Sequence, residues 1–452
     1  MPFSRRAPIS KNHFDPAAQR ESVRLTNIYA TPWHLPIDHR DQLAEPSEHL
    51  RLGRLKDYFV GSAAQLPRVL HRTDLPAGEL GFQRWEHAEL VNGARLWLFA
   101  TPSGQIVVAL SLDVNCELLQ TIDLLEDCYY LDVRHGQERI EALAAVLAER
   151  RGGDISAGQS FFPERHQIAF GPTLPRRRCE DIIQRVIYRS DLPYRKEFSA
   201  IGYPPELNRR PETVAAVGPY VSVLGGQQDY LENSVFLSAV QAVASAARLR
   251  EIRTAAYSAV ETFRAGERTR HGTQERRRVL ERLSDQLGDM ELELSYSVEA
   301  SADLGLLVPS LRVVGYHDAL YEAMDLVAKA ETVARMLRRL ERAIHAELTA
   351  IESVERRADE DRRLRWTIAV GFVSTVAIPV GLVLAFFGIN AREVNEEWSM
   401  FDSRYAAMYL LAGGLVAIGI LVSTAFYFQQ RRSMRLDDRD AVRPRSNGSQ
   451  LR

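Results

Sequence analysis

A mixed α/β domain, then long helices, then a C-terminal pair of membrane helices is the fold class predicted by three observations. Up to about residue 227, short β-rich runs alternate with helical patterns. From 228 to about 365, helix formers and charged residues dominate. Charge then vanishes from two windows, WTIAVGFVSTVAIPVGLVLAFFG (366–388) and YAAMYLLAGGLVAIGILVSTAFYF (405–428). Neither contains an ionisable side chain other than Tyr. Each, as a helix, is long enough to cross about 30 Å of hydrocarbon.

The elements follow in order. Residues 1–16 read as a loose basic arm and 17–227 as the α/β domain. Its clearest piece is LWLFATPSGQIVVALSLDV (96–114), two β-rich runs around a Thr-Pro-Ser-Gly turn and hence a hairpin. QERIEALAAVLAER (137–150) carries apolar residues at helical spacing, and shorter strands are expected at 127–133, 159–170 and 214–224. The segment 228–316 predicts two long antiparallel helices broken near Ala265-Gly266. Within it, Gly305, Pro309 and Gly315 mark 304–318 as a connector. From 317 to 388 a stalk helix is expected to run into the first membrane segment. Leu320, Met324, Val327, Val333, Leu337, Leu340, Ile344, Leu348 and Ile351 recur there at three- and four-residue steps. Unbroken, that helix would be about 108 Å long and could bury its stripe only in a bundle. Residues 389–404 form an acidic loop, 405–428 the second membrane helix, and 429–452 a basic tail.

Composition narrows the function classes. A net charge of −2 over 452 residues gives no global reason to expect nucleic acid as a partner. The basic runs PRRR (175–178) and GERTRHGTQERRR (266–278) read as solvated surface. Three cysteines without metal-ligand spacing suit a reducing cytosol. Arg356, Arg357, Arg362, Arg363 and Arg365 precede the first apolar window, and Arg431, Arg432, Arg435, Arg439 and Arg443 follow the second. This bias predicts a multi-pass inner-membrane protein in a lipid bilayer, with both termini cytoplasmic. MPFSRRAPISKNHFDP has no apolar core, so no signal peptide is expected. No triad, paired carboxylates or ligand-spaced histidines argue for an enzyme or a resident cofactor.

One motif gives the apolar pair a function. The first window ends in Gly388-Ile389-Asn390, with Phe387 just before, Pro379 eleven residues upstream of the Asn, and Glu393, Glu396, Glu397 and Asp402 beyond. With the stalk and the cytosolic domain, this arrangement resembles the CorA family of channels or transporters for magnesium and related divalent cations. In that family the corresponding triplet is Gly-Met-Asn. The resemblance implies a homopentamer whose first membrane helices line a pore through Thr367, Val370, Ser374, Ile378, Gly381 and Ala385. It also implies that Gly388, Ile389 and Asn390 form the filter. Small Gly381, Ala385 and Ser374 suit close helix approach, and Val370 and Ile378 suit a gate that dewets.

Mg²⁺ demands six oxygens in octahedral geometry and dehydrates reluctantly. A ring of Asn390 carbonyls would hold the metal through its hydration shell, and the acidic loop would concentrate cations at the mouth. Two departures, Ile389 for Met and Gly381 where Thr is common, widen the expected cargo from Mg²⁺ to another divalent cation, as in ZntB-type zinc transporters. Asp303, Asp325 and Glu331 are candidates for the magnesium-sensing carboxylates of that family. The alternative reading is a ligand-gated effector or sensor built on the same scaffold, with relaxed ion selectivity.

Overall fold

The computed structural model describes residues 22–62, 64–171, 180–190, 192, 200–268, 273–299, 304–388, 399, 402–407, 409–421 and 424–425. The chain divides into two compact units, Met1–Ile344 and His345–Arg452.

The first unit is built on a seven-stranded sheet. Its strands are β1 (Ser22–His34), β2 (Arg68–Leu75), β3 (Val91–Ala100), β4 (Gln105–Asn115), β5 (Arg165–Gly171), β6 (Val214–Val217) and β7 (Val221–Gly225). Their order across the sheet is β2-β3-β4-β1-β5-β7-β6. Neighbours are antiparallel except β5 and β7, which run parallel.

Period-two alternation sends side chains into two separate cores. In β4, Ile106, Val108, Leu110, Leu112 and Val114 enter one, and Val107 and Ala109 enter the other. The first core is closed by α1 (Thr121–Tyr130), α2 (Ile140–Arg150) and α3 (Glu180–Tyr188), through residues such as Leu125, Ala144 and Val186. The second is closed by α4 (Asp229–Arg268), through Val235, Phe236 and Val243. After α4 come α5 (Thr273–Leu294), a π-helical turn Ser295–Glu299, α6 (Leu311–Ala323) and α7 (Leu326–Gly388). Helix α6 adds Val313, Tyr316 and Leu320 to the second core. The sheet is thus covered on both faces, which is why β4 reads as an almost continuous apolar run.

The hairpin expected at 96–114 forms as β3 and β4. Its turn closes with the Gly104 amide donating to the Thr101 carbonyl at 2.8 Å. Gly104 sits at φ +91, and a Cβ there would meet Leu35 O and Arg40 Nη2 at 2.8 Å, so this corner needs glycine.

Three expectations about local structure are corrected. The strand expected at 127–133 is largely helix, because Ile122, Leu124, Leu125 and Cys128 pack α1 onto the sheet. The expected connector at 304–318 is helical over Leu304–Leu307 and from Leu311 onward. Burial of Val313, Tyr316, His317 and Leu320 overrides the weak helix propensity of Gly315. The stalk is not continuous from 317: Asp325 takes a left-handed φ of 56°, which ends α6 and lets α7 begin at Leu326. Beyond that break the expected stripe is present, with Leu326, Val333, Leu337, Leu340, Ile344 and Ile351 buried. Val327, placed in that stripe from the sequence, is 54% exposed.

The membrane expectation is also corrected. Among the described residues, no helix is long and apolar enough to cross a membrane. That overturns both the two-helix transmembrane hairpin at 366–388 and 405–428 and the multi-pass inner-membrane location. Helix α7 owes much of its length to charged turns such as SVERRADEDRRLR (353–365). An α/β region followed by helices is what stands of the predicted fold.

Candidate functional site on the C-terminal helices

The sequence-predicted site residues that the structure describes lie mainly on α7. Thr367, Val370, Ser374, Ile378, Gly381 and Ala385 are all helical and all exposed. Their steps of three and four residues put them within about 80° of one another around a helix of 3.6 residues per turn. Val370 and Ile378 expose 58% and 63% of their surface. A Cβ added at Gly381 would meet nothing within 4 Å. The Thr367 hydroxyl donates back to the Arg363 carbonyl at 2.9 Å, which satisfies it within the helix.

The neighbouring face of the helix is open too. Trp366 and Val373 are 68% and 63% exposed. In the later helical turns Leu410, Leu411, Leu415, Ile418 and Leu421 are exposed as well. Among the described residues, the second unit thus carries several large apolar side chains on its surface. Gly388 is the last residue of α7. Ile389, Asn390, Glu393, Glu396 and Glu397 lie outside the described residues, as do the arm 1–16 and the tail 429–452. Asp402 is described: the Tyr405 amide donates to its carbonyl at 3.1 Å, at the start of the single turn Ser403–Tyr405. Of the three candidate sensing carboxylates, Asp325 is the exposed left-handed residue before α7 and Glu331 is exposed on α7. Asp303 lies outside the described residues.

The first unit holds polar groups of a different kind, half-buried or buried, and paired. Arg24 on β1 donates to Asp113 at 2.7 Å and to Glu232 at 2.8 Å, and Arg95 donates to the other Asp113 oxygen at 2.5 Å. Burial is the largest influence on Glu232, outweighs Arg24 beside it, and pushes its carboxyl up to about 7. Arg24 stays charged because two carboxylates face it. Arg189, at φ 49, lies 3.8 Å from the ring centre of Tyr129 while donating to Gln167 at 3.1 Å.

His166 is fully buried, held down to about 3 by desolvation, and bonded to the Ser222 hydroxyl at 2.8 Å. Tyr316 donates to the same hydroxyl at 3.1 Å. The Ser222–His166 pair resembles a nucleophile and its base, but both residues are 0% exposed in the middle of the sheet, where a substrate has no access. Burial pushes the Cys116 thiol up to about 12 and raises Cys128 as well, which leaves both as inert core residues. Among the described residues, no group of three or more His, Cys, Asp or Glu is placed to hold a metal ion.

No protein-family model, no curated protein and no solved structure matches this chain.

Proposed function

We propose that this chain is one subunit of an oligomer that passes divalent cations, Mg²⁺ first among them, along an axis walled by the 367–385 face of α7. One observation carries the reading: that face is a continuous strip of small, hydroxylated and apolar side chains, all exposed in the single chain. Covering Trp366, Val370, Val373 and Ile378 with neighbouring copies would contribute on the order of 8 kcal/mol per copy, at about 2 kcal/mol for each side chain. That is comparable to the roughly 4–15 kcal/mol that association costs in lost freedom. The count of five copies comes from the CorA resemblance, as does the role of Asn390 as a ring that accepts hydrogen bonds from the hydrated ion. The charged turns before Trp366 would stay solvated outside the strip.

Cation flux into vesicles reconstituted with the purified full chain tests this, run in parallel for Mg²⁺, Zn²⁺, Co²⁺ and Na⁺. Divalent flux that disappears in Asn390→Ala is the expected result. Flux that survives the substitution, or no flux from the wild type, overturns it. Flux that appears only with an added small ligand and favours no divalent ion supports the effector reading instead.

A further inference from the structure

A cavity of about 460 Å³ opens in the first unit between the β3–β4 turn, α4 and the π-helical turn Ser295–Glu299. Its volume is that of an ordinary small-molecule site. We propose that it binds an uncharged, hydroxyl-bearing heterocycle of nucleoside size. The proposal is independent of the cation reading, since every residue it uses belongs to the first unit.

Gln241 is the side chain that marks the site. This side chain is only 6% exposed, lines the cavity, and its Oε1 has no hydrogen-bond partner. It stands in SAVQAVASAA, where Val240, Ala242 and Val243 are packed in the core. A buried acceptor left unpaired is costly, and a ligand N–H or O–H would satisfy it. Across the cavity, the β3–β4 turn presents Thr101 and Ser103, whose hydroxyls are 2.9 Å apart. The Thr101 hydroxyl also accepts from the Gln105 amide at 3.1 Å, so Ser103 is the one that suits a hydroxyl of a sugar or polyol. Tyr296 and Leu306 line the same space and are 53% and 81% exposed, offering apolar surface for a flat ring. The π-helical geometry that places Tyr296 is rare and recurs at functional sites.

Charge selects a neutral ligand. Arg248 lines the cavity but is already engaged, donating to Glu293 at 2.8 Å and to Glu251 at 2.7 Å. Glu251 also lies 4.0 Å from His34, whose burial favours the neutral ring. Two carboxylates around one guanidinium leave no spare positive charge for a phosphate.

Isothermal titration of the full chain with adenosine, uridine, glucose and AMP tests the proposal, alongside Gln241→Met. At least one nucleoside is expected to bind below about 1 mM and about tenfold more tightly than AMP. Gln241→Met is expected to weaken that binding at least about tenfold while raising the melting temperature of the ligand-free protein, because it removes the unpaired oxygen. A Gln that serves only to brace the fold would give the opposite shift in melting temperature. The proposal is overturned if neither nucleoside binds, if AMP or glucose binds more tightly, or if the variant binds as well as the wild type.

Discussion

The sheet of the first unit and the outer half of α7 are made of similar residues and treat them in opposite ways. Leu110, Ile106 and Phe99 are 0% exposed, whereas Ile378, Val370 and Trp366 expose more than half of their surface. The difference lies in partners. A strand residue gains neighbours on both sides from strands and helices distant in sequence, so alternation alone tells which core it enters. A helix with an apolar window of twenty residues offers the same chemistry but supplies no partner of its own. Low charge shows that a segment avoids water; it does not say what covers it.

The comparison breaks first in the core. Phe99→Ala removes a ring that packs 5.3 Å from Phe236 and 5.9 Å from Trp97. It should destabilise the first unit by about 3–5 kcal/mol in denaturant unfolding. The paired test on α7 is Val370→Asp with Ile378→Asp. It should leave that unfolding free energy within about 0.5 kcal/mol of wild type, because both side chains are more than half exposed. Sedimentation should nevertheless show smaller assemblies. An unchanged oligomer would mean that the exposed strip is not the contact.

A smaller effect separates the two kinds of polar group. Glu232 titrates near 7 when folded, against an ordinary value of 4.5. The folded state therefore holds its proton more tightly than the unfolded chain. This contribution is fully present below pH 4.5 and is lost as pH rises toward 7, by on the order of 2–3 kcal/mol. His166 opposes it, since a folded value near 3 makes its contribution full above 6.5 and lost on acidification. Melting temperatures at pH 5 and pH 8 should differ in Glu232→Gln from the wild type, with the variant relatively more stable at pH 8. An identical pH profile would place the Glu232 carboxyl in its ordinary range.

The smallest effect is at the hinge between α6 and α7. Asp325→Gly relieves a left-handed φ and should raise stability by about 0.5 kcal/mol, read from the urea midpoint at constant slope.

Much of the first unit was legible in the sequence because its signals are local. The hairpin at 96–114 rests on alternation and a Pro-Ser-Gly turn, and the helix at 137–150 on spacing. The stripe from Leu337 to Ile351 rests on periodicity. The misses came where tertiary packing overrode a local signal. Gly315 lies inside a helix because Val313, Tyr316, His317 and Leu320 around it are buried, which outweighs its weak propensity. A strand was expected at 127–133, which instead begins with the last turn of α1, docked on the sheet through Ile122, Leu124, Leu125 and Cys128. Gln241 carried a weak signal, a lone amide among alanines and valines, which gains meaning only beside a cavity.

By itself the sequence determined which residues avoid water, where the chain turns, and the spacing that groups Thr367 to Ala385 on one helical face. Those properties follow from side-chain chemistry and from the fixed periods of helix and strand. Tertiary structure alone decided that α4 and α6 close one face of the sheet, that Asp325 separates the stalk from α6, and that Val370 and Ile378 stand exposed on α7. Each of these depends on contacts between residues far apart in sequence, and no local pattern encodes the partner on the other side of a contact.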